Sequence, residues 1–153
     1  MKNYLNASFF IRSIPFLFGI WMIITLYLTA MPAKYLVESR VFQYDKLGHF
    51  ALFGGWAFLY GLFVMYYRRK TDVGLKRIFF IGFLFGASVE LYQYLMPINR
   101  SGNLADLAAN GLGCLAAVLA LGIIKQYFPE ESLNEAADAA EPAKPSEPEL
   151  QKG

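Results

Sequence analysis

The chain has 153 residues, of which 56% are hydrophobic and 17% aromatic, a composition that excludes an ordinary soluble domain and indicates a single-domain membrane protein. Residues 1–128 carry 12 basic and 5 acidic residues, whereas residues 129–153 carry 2 basic and 7 acidic residues. The basic excess therefore belongs to the apolar part of the chain, where it indicates membrane topology rather than nucleic-acid binding.

Residues 14–31 (IPFLFGIWMIITLYLTAM) form the first predicted span. They include no charged residue, and about 20 apolar residues cross a ~30 Å hydrocarbon core as a helix. A signal peptide is the alternative, but this apolar run is longer than the roughly 7–15 residues of such peptides and no clear A-x-A site follows. We therefore predict a retained transmembrane helix.

Three further apolar segments follow, at residues 49–67, 78–96 and 104–128. The loop at residues 68–77 carries five basic residues and one acidic residue, so the positive-inside rule places it in the cytoplasm. With four spans, both chain termini then lie in the cytoplasm as well.

These segments predict an all-α polytopic membrane protein. Residues 1–128 form a bundle of four transmembrane helices. Residues 129–153 are rich in Glu, Ala and Pro, and we expect a disordered acidic cytoplasmic tail.

A polar stretch, ELYQYLMPINRSGNLADLAAN, joins the third and fourth spans. Glu90, Gln93 and Tyr94 lie at i, i+3 and i+4 and share one helix face, and Asp106 and Asn110 share a face of the next helix. A charged side chain near the bilayer centre costs roughly 2.5–3.5 kcal/mol, so Glu90 and Asp106 need a partner, a cavity or water.

The predicted topology places this stretch and the start of the second span on the outer side of the membrane, where they form a polar pocket. Arg100 and Lys46 are predicted to hold an anion, because a guanidinium group binds phosphate or carboxylate bidentately. The predicted ligand-binding residues are Asp45, Lys46, His49, Glu90, Gln93, Arg100, Asp106 and Asn110.

Cys114 is the one cysteine of the chain and His49 the one histidine. An intrachain disulfide and a cysteine or multi-histidine metal site are therefore excluded. We expect neither a metal nor another cofactor.

Three motifs occur in order along the chain: DKLGHF at residues 45–50, E-x-x-Q at 90–93, and D-x-x-x-N-G at 106–111, the last after Arg100. Together they resemble the VanZ-like family of bacterial membrane proteins over about residues 11–126. That family is named for a member associated with low-level resistance to the glycopeptide teicoplanin. The resemblance implies that the eight predicted site residues are its characteristic polar positions, and it does not imply a reaction.

Three functional hypotheses remain open. The first is a binding protein of the bacterial inner membrane whose ligand is a membrane lipid, namely an anionic cell-envelope lipid or a cell-wall precursor, or else a glycopeptide-related ligand. The second is an enzyme that acts on a lipid-linked substrate, with Glu90 or His49 as general base. The third is a structural or assembly protein whose polar network only fixes helix packing. The sequence leaves the ligand, a role in antibiotic resistance and oligomerisation open.

Individual residues also have structural interpretations. His49 stands at a helix start and suits a cap, and Asp106 suits the positive N-terminus of its helix. Small residues at helical spacing predict close helix packing: Gly82, Gly86, Ala105, Ala109, Gly113 and Ala117.

Overall fold

The computed structural model describes residues 2–31, 45–68, 74–96 and 104–127. Each of these four segments is almost entirely helical. The helices are α1 (Lys2–Ala30), α2 (Asp45–Leu62), α3 (Leu75–Leu95) and α4 (Leu104–Tyr127), and α2 continues into a π-helical turn (Phe63–Tyr67). The predicted all-α, four-helix bundle is confirmed.

Each helix contains a segment long and apolar enough to cross a membrane. These segments are Phe9–Ala30, Lys46–Tyr67, Leu75–Leu95 and Leu104–Tyr127. They agree with the four predicted spans, although α1 begins about three turns before residue 14. The predictions for residues 32–44, 69–73, 97–103 and 128–153 fall outside the described residues.

Successive helices run in opposite directions, and the buried polar side chains lie together at one end of the bundle. Gln93 near the end of α3 contacts Thr29 near the end of α1, and His49 near the start of α2 contacts Asn110 near the start of α4. We call this end the polar end. Helices α2 and α4 are therefore parallel neighbours that both begin there.

Glycines bring α2 and α4 into backbone contact. A Cβ at Gly54 would lie 2.9 Å from the carbonyl oxygen of Gly113, and a Cβ at Gly113 would collide with the carbonyl oxygen of Phe50. Gly113 is therefore required for this approach, as the small-residue pattern predicted. The pattern fails at Ala105, which is exposed, because a four-residue repeat drifts about 40° round the helix at each step.

Two apolar clusters fill the bundle away from the polar end. One, next to the opposite end, contains Ile14, Leu62, Val64, Met65, Tyr66, Ile78, Val118 and Leu121. The other, between it and the polar end, contains Phe53, Trp56, Ala57, Val89, Cys114 and Ala117. Large hydrophobic side chains also cover the outside, including Phe16 and Leu104, as expected for a surface that faces lipid tails.

Candidate functional site

Five of the buried polar side chains at the polar end belong to α2, α3 and α4, although each of these helices is apolar. Their exposed fractions are 6% for His49, 7% for Glu90, 3% for Gln93, 6% for Asp106 and 0% for Asn110. Polar groups are costly to bury without hydrogen bonds, so their partners decide what this layer can do.

Three of these side chains form a closed triangle. The Nδ1 atom of His49 lies 3.2 Å from Oε1 of Glu90 and 3.1 Å from Oδ1 of Asn110. Asn110 also donates from Nδ2 to the same Glu90 oxygen, at 3.4 Å. Because both atoms facing Nδ1 are acceptors, Nδ1 carries a hydrogen and donates it, which fixes the orientation of the imidazole ring.

Close helix packing allows side chains this short to meet. A Cβ at Gly86, one turn before Glu90, would lie 3.1 Å from Cβ of Asn110, so the glycine lets α3 approach α4. The Gly54–Gly113 contact does the same for α2 and α4 one turn below His49. The imidazole of His49 also stacks on Phe53, with ring centroids 6.1 Å apart. The triangle is therefore held from all three helices.

Gln93 links the site to α1. Its Nε2 atom donates to the backbone carbonyl oxygen of Thr29 at 2.9 Å, near the end of α1 where carbonyl groups lack partners within the helix. Thr29 and Thr25 are both buried, and their hydroxyl groups donate to Thr25 and Trp21 carbonyl oxygens in the preceding turn. The sequence reasoning missed both threonines, although their i, i+4 spacing was a usable signal.

Tyr94 is a correction to the predicted polar face of α3, since 72% of this residue is exposed. The buried face of α3 is centred near Gly86, Val89 and Gln93. At 100° per residue Tyr94 lies beyond its edge, whereas Glu90 lies within it. Spacing from Glu90 alone does not locate the centre of the buried face.

Asp106 differs from its neighbours because one of its oxygens is unsatisfied. Oδ1 is buried and accepts no hydrogen bond from any part of the chain that the structure describes. Asn110 lies one turn deeper on the same face of α4 and belongs to the triangle. A buried acceptor without a donor costs about 1–3 kcal/mol, so a donor that reached this oxygen would stabilise the site.

The remaining predicted site residues lie at the rim or outside the described side chains. Lys46 is exposed and precedes His49 by three residues, about 4.5 Å along the axis of α2. Asp45 begins α2, and its side chain is not among those described. Arg100 lies outside the described residues, so its role in holding an anion stays a prediction.

Comparison with known proteins places this arrangement in a family. The VanZ/LLP1 family model matches residues 9–125, which include all four membrane segments nearly complete and all of the buried polar layer. This chain belongs to the VanZ/LLP1 family. The resemblance predicted from the three motifs is confirmed. No curated protein and no solved structure matches the chain.

In this VanZ/LLP1 protein the motifs have distinct positions. The histidine of DKLGHF, the glutamate of E-x-x-Q and the asparagine of D-x-x-x-N-G form the triangle. The glutamine of E-x-x-Q donates a hydrogen bond to α1, and the aspartate of D-x-x-x-N-G has the unsatisfied oxygen. The layer thus combines a satisfied hydrogen-bond network with an adjacent acceptor that is open to a donor.

Proposed function

We propose that this VanZ/LLP1 protein binds the anionic group of a cell-envelope lipid headgroup at its polar end. The observation that carries the proposal is the buried layer of His49, Glu90, Asp106 and Asn110, located where two apolar helices begin. Ionisable residues inside a membrane segment are costly and mark functional sites more often than not. The layer lies near the ends of the four candidate spans, and the headgroup region of a bilayer begins where such spans end.

The charges of the site decide where an anionic group would sit. Glu90 and Asp106 repel an anion from the buried layer, so the anionic group belongs at the rim. There Lys46 is exposed, and α2 and α4 present the positive ends of two parallel helix dipoles. Arg100 is the second cation that we predict for this rim.

Lipids that copurify with the protein in mild detergent provide the test. Mass spectrometry of wild type is compared with Lys46→Gln and with Lys76→Gln, an exposed lysine at the start of α3 on the opposite end. We expect an enriched phospholipid that falls about fivefold in the Lys46 variant, since a lysine near such a headgroup contributes ~1 kcal/mol.

Two outcomes would contradict this proposal. Equal lipid retention by all three proteins means that the polar end does not select a headgroup. An equal loss in both lysine variants means that binding depends on overall charge. Adding a glycopeptide to the purified protein and following displacement of the lipid distinguishes a lipid from a glycopeptide-related ligand.

The proposal includes an orientation in the cytoplasmic membrane. Basic residues near the end opposite the site support placing that end, and with it both chain termini, in the cytoplasm. Those within the described segments are Lys2, Arg12, Arg68, Lys76, Arg77 and Lys125. The polar end then faces the outer leaflet.

Labelling with a membrane-impermeant maleimide tests this orientation. In a Cys114→Ala background we expect Lys46→Cys to react in intact cells and Lys76→Cys to react only after permeabilisation. The reverse pattern would contradict the orientation, while leaving the helix bundle itself unaffected.

A second candidate function is catalysis on a lipid-linked substrate, and the triangle favours it. A carboxylate that accepts from Nδ1 of a histidine orients the ring for acid–base chemistry, as in hydrolase triads. In this hypothesis Glu90→Gln abolishes turnover while the protein stays folded. Retained turnover of a lipid-linked substrate in that variant would exclude Glu90 from the mechanism.

A further inference from the structure

The unsatisfied oxygen of Asp106 indicates what else the bound headgroup contains. We propose that Oδ1 of Asp106 accepts a hydrogen bond from a protonated primary amine of the ligand, which makes the ligand an aminophospholipid. This inference rests on the function proposed above and assigns the part of the same site that contains Asp106. Asp106 is 94% buried, and no described residue donates to Oδ1.

The depth of Asp106 follows from the register of the parallel α2–α4 pair. The contacts His49–Asn110 and Phe53–Cys114 both join residues that are 61 positions apart. The same offset puts Asp106 level with the first residue of α2, about 6 Å closer to the polar end than Asn110. Asp106 therefore lies at the depth of Lys46, above the triangle.

Charge selects an amine over other donors. The buried layer has two carboxylates and one imidazole, and that imidazole faces Glu90. None of the described residues forms an ion pair with Asp106, and a carboxylate buried without a counter-charge is costly, so a cation stabilises the Asp106 position more than a neutral hydroxyl group does. An ammonium group also supplies up to three donors for short, charge-assisted hydrogen bonds.

The two charges of one headgroup then match the two parts of the site. The phosphate lies at the rim with Lys46 and the helix N-termini, and the ammonium group lies against Asp106. Both residues are at the same depth, so a headgroup that lies across the polar end reaches both. A zwitterionic aminophospholipid satisfies each partner without a bulk counter-ion.

A headgroup series with identical acyl chains tests the inference on the wild-type protein. Native mass spectrometry compares retention of phosphatidylethanolamine, phosphatidylcholine, phosphatidylglycerol and diacylglycerol. Phosphatidylcholine keeps the positive charge but has no N–H donor, and phosphatidylglycerol keeps donors but has no positive charge. We expect phosphatidylethanolamine to be preferred to both by about tenfold, the effect of one charge-assisted hydrogen bond.

Asp106→Asn then identifies the residue responsible. The near-isosteric amide removes the charge, so we expect retention of phosphatidylethanolamine to approach that of phosphatidylglycerol. Lys125→Gln, which changes one charge at the far end of α4, serves as the control and should keep the preference. An unchanged preference in Asp106→Asn overturns the inference and assigns Oδ1 to ordered water only.

The two proposals fail in different ways. If all three phospholipids are retained equally, but better than diacylglycerol, the amine inference is wrong and the proposed binding of an anionic phosphate group stands. A preference for phosphatidylglycerol gives the same result, with a hydroxyl group in place of the amine. If diacylglycerol is retained as well as the phospholipids, the proposed function itself is wrong, and the inference is lost with it.

Discussion

The parallel pair of α2 and α4 contains two contrasting regions. Near the polar end the helices meet through side chains, with His49 hydrogen-bonded to Asn110 and Glu90 joining from α3. One turn further in they meet through backbone, where Gly54 lies against Gly113. The first region uses directional bonds that a ligand or a proton can alter. The second depends only on close backbone packing, which holds the side chains of the first region in register.

This contrast predicts the largest loss of stability at Gly113. Gly113→Ala places a methyl group against the Phe50 carbonyl, where the clashing atoms are backbone and cannot rotate away. We expect the free energy of unfolding to fall by about 1–3 kcal/mol or more, measured by circular dichroism during titration with SDS in mixed micelles.

Gly48→Ala is the matched control on the same helix pair. A Cβ there meets nothing within 4 Å, and the residue lies in α2 next to His49. Replacing a helical glycine by alanine stabilises by roughly 0.5–1 kcal/mol, so this variant should unfold later than wild type. A loss in Gly48→Ala as large as that in Gly113→Ala would show that the loss does not come from the close approach at Gly113.

The next largest effect is expected from Asn110→Ala, which removes two hydrogen bonds of the triangle. We expect a loss of roughly 1–2 kcal/mol, because interhelical hydrogen bonds in membranes are modest and the remaining polar atoms stay buried. The same SDS titration measures it.

A double-mutant cycle with Asn110→Ala and Glu90→Gln sharpens the comparison. Direct contact predicts a coupling energy above about 0.5 kcal/mol. For two residues that are far apart, the separate stability changes would add to within about that value. Lipid retention is measured on the same proteins. Strong coupling with unchanged retention favours the structural interpretation, in which the network only sets helix packing.

A smaller and more local effect is expected from Gln93→Leu. Loss of the bond to Thr29 releases the last turn of α1, and we expect faster amide hydrogen exchange there. Global stability should change by about 1 kcal/mol or less. Ser88→Ala, on the exposed side of α3, removes only a bond to Leu84 within the helix and should leave exchange in α1 unchanged.

Lys46→Gln should have the smallest effect on stability. The side chain is exposed at the rim, and substitutions at such positions usually stay within about 0.5 kcal/mol. Its predicted effect is on headgroup retention alone. A large loss of stability in this variant would place Lys46 in the supporting network instead of the rim.

The sequence located the site residues better than it located their partners. Helical spacing correctly placed Glu90 with Gln93, and Asp106 with Asn110, on inward faces. It misplaced Tyr94, because spacing measured from one residue does not give the direction of the nearest helix. Spacing within single helices did not predict the contacts of Glu90 with His49 and Asn110, which lie on two other helices.

By itself the sequence determined the four membrane segments and the existence of a polar layer at one end. Length and hydropathy suffice for the first, because every membrane span must satisfy its backbone within a helix. Polar residues inside such spans are few and costly, so they stand out without a structure.

Only the tertiary structure decided which of these residues meet. Periodicity fixes where a side chain points round its own helix, but the contact depends on how closely the next helix approaches. Here Gly54, Gly86 and Gly113 set that approach through their missing side chains. This close packing brings His49, Glu90 and Asn110 into contact, while Oδ1 of Asp106 accepts no hydrogen bond from a described residue.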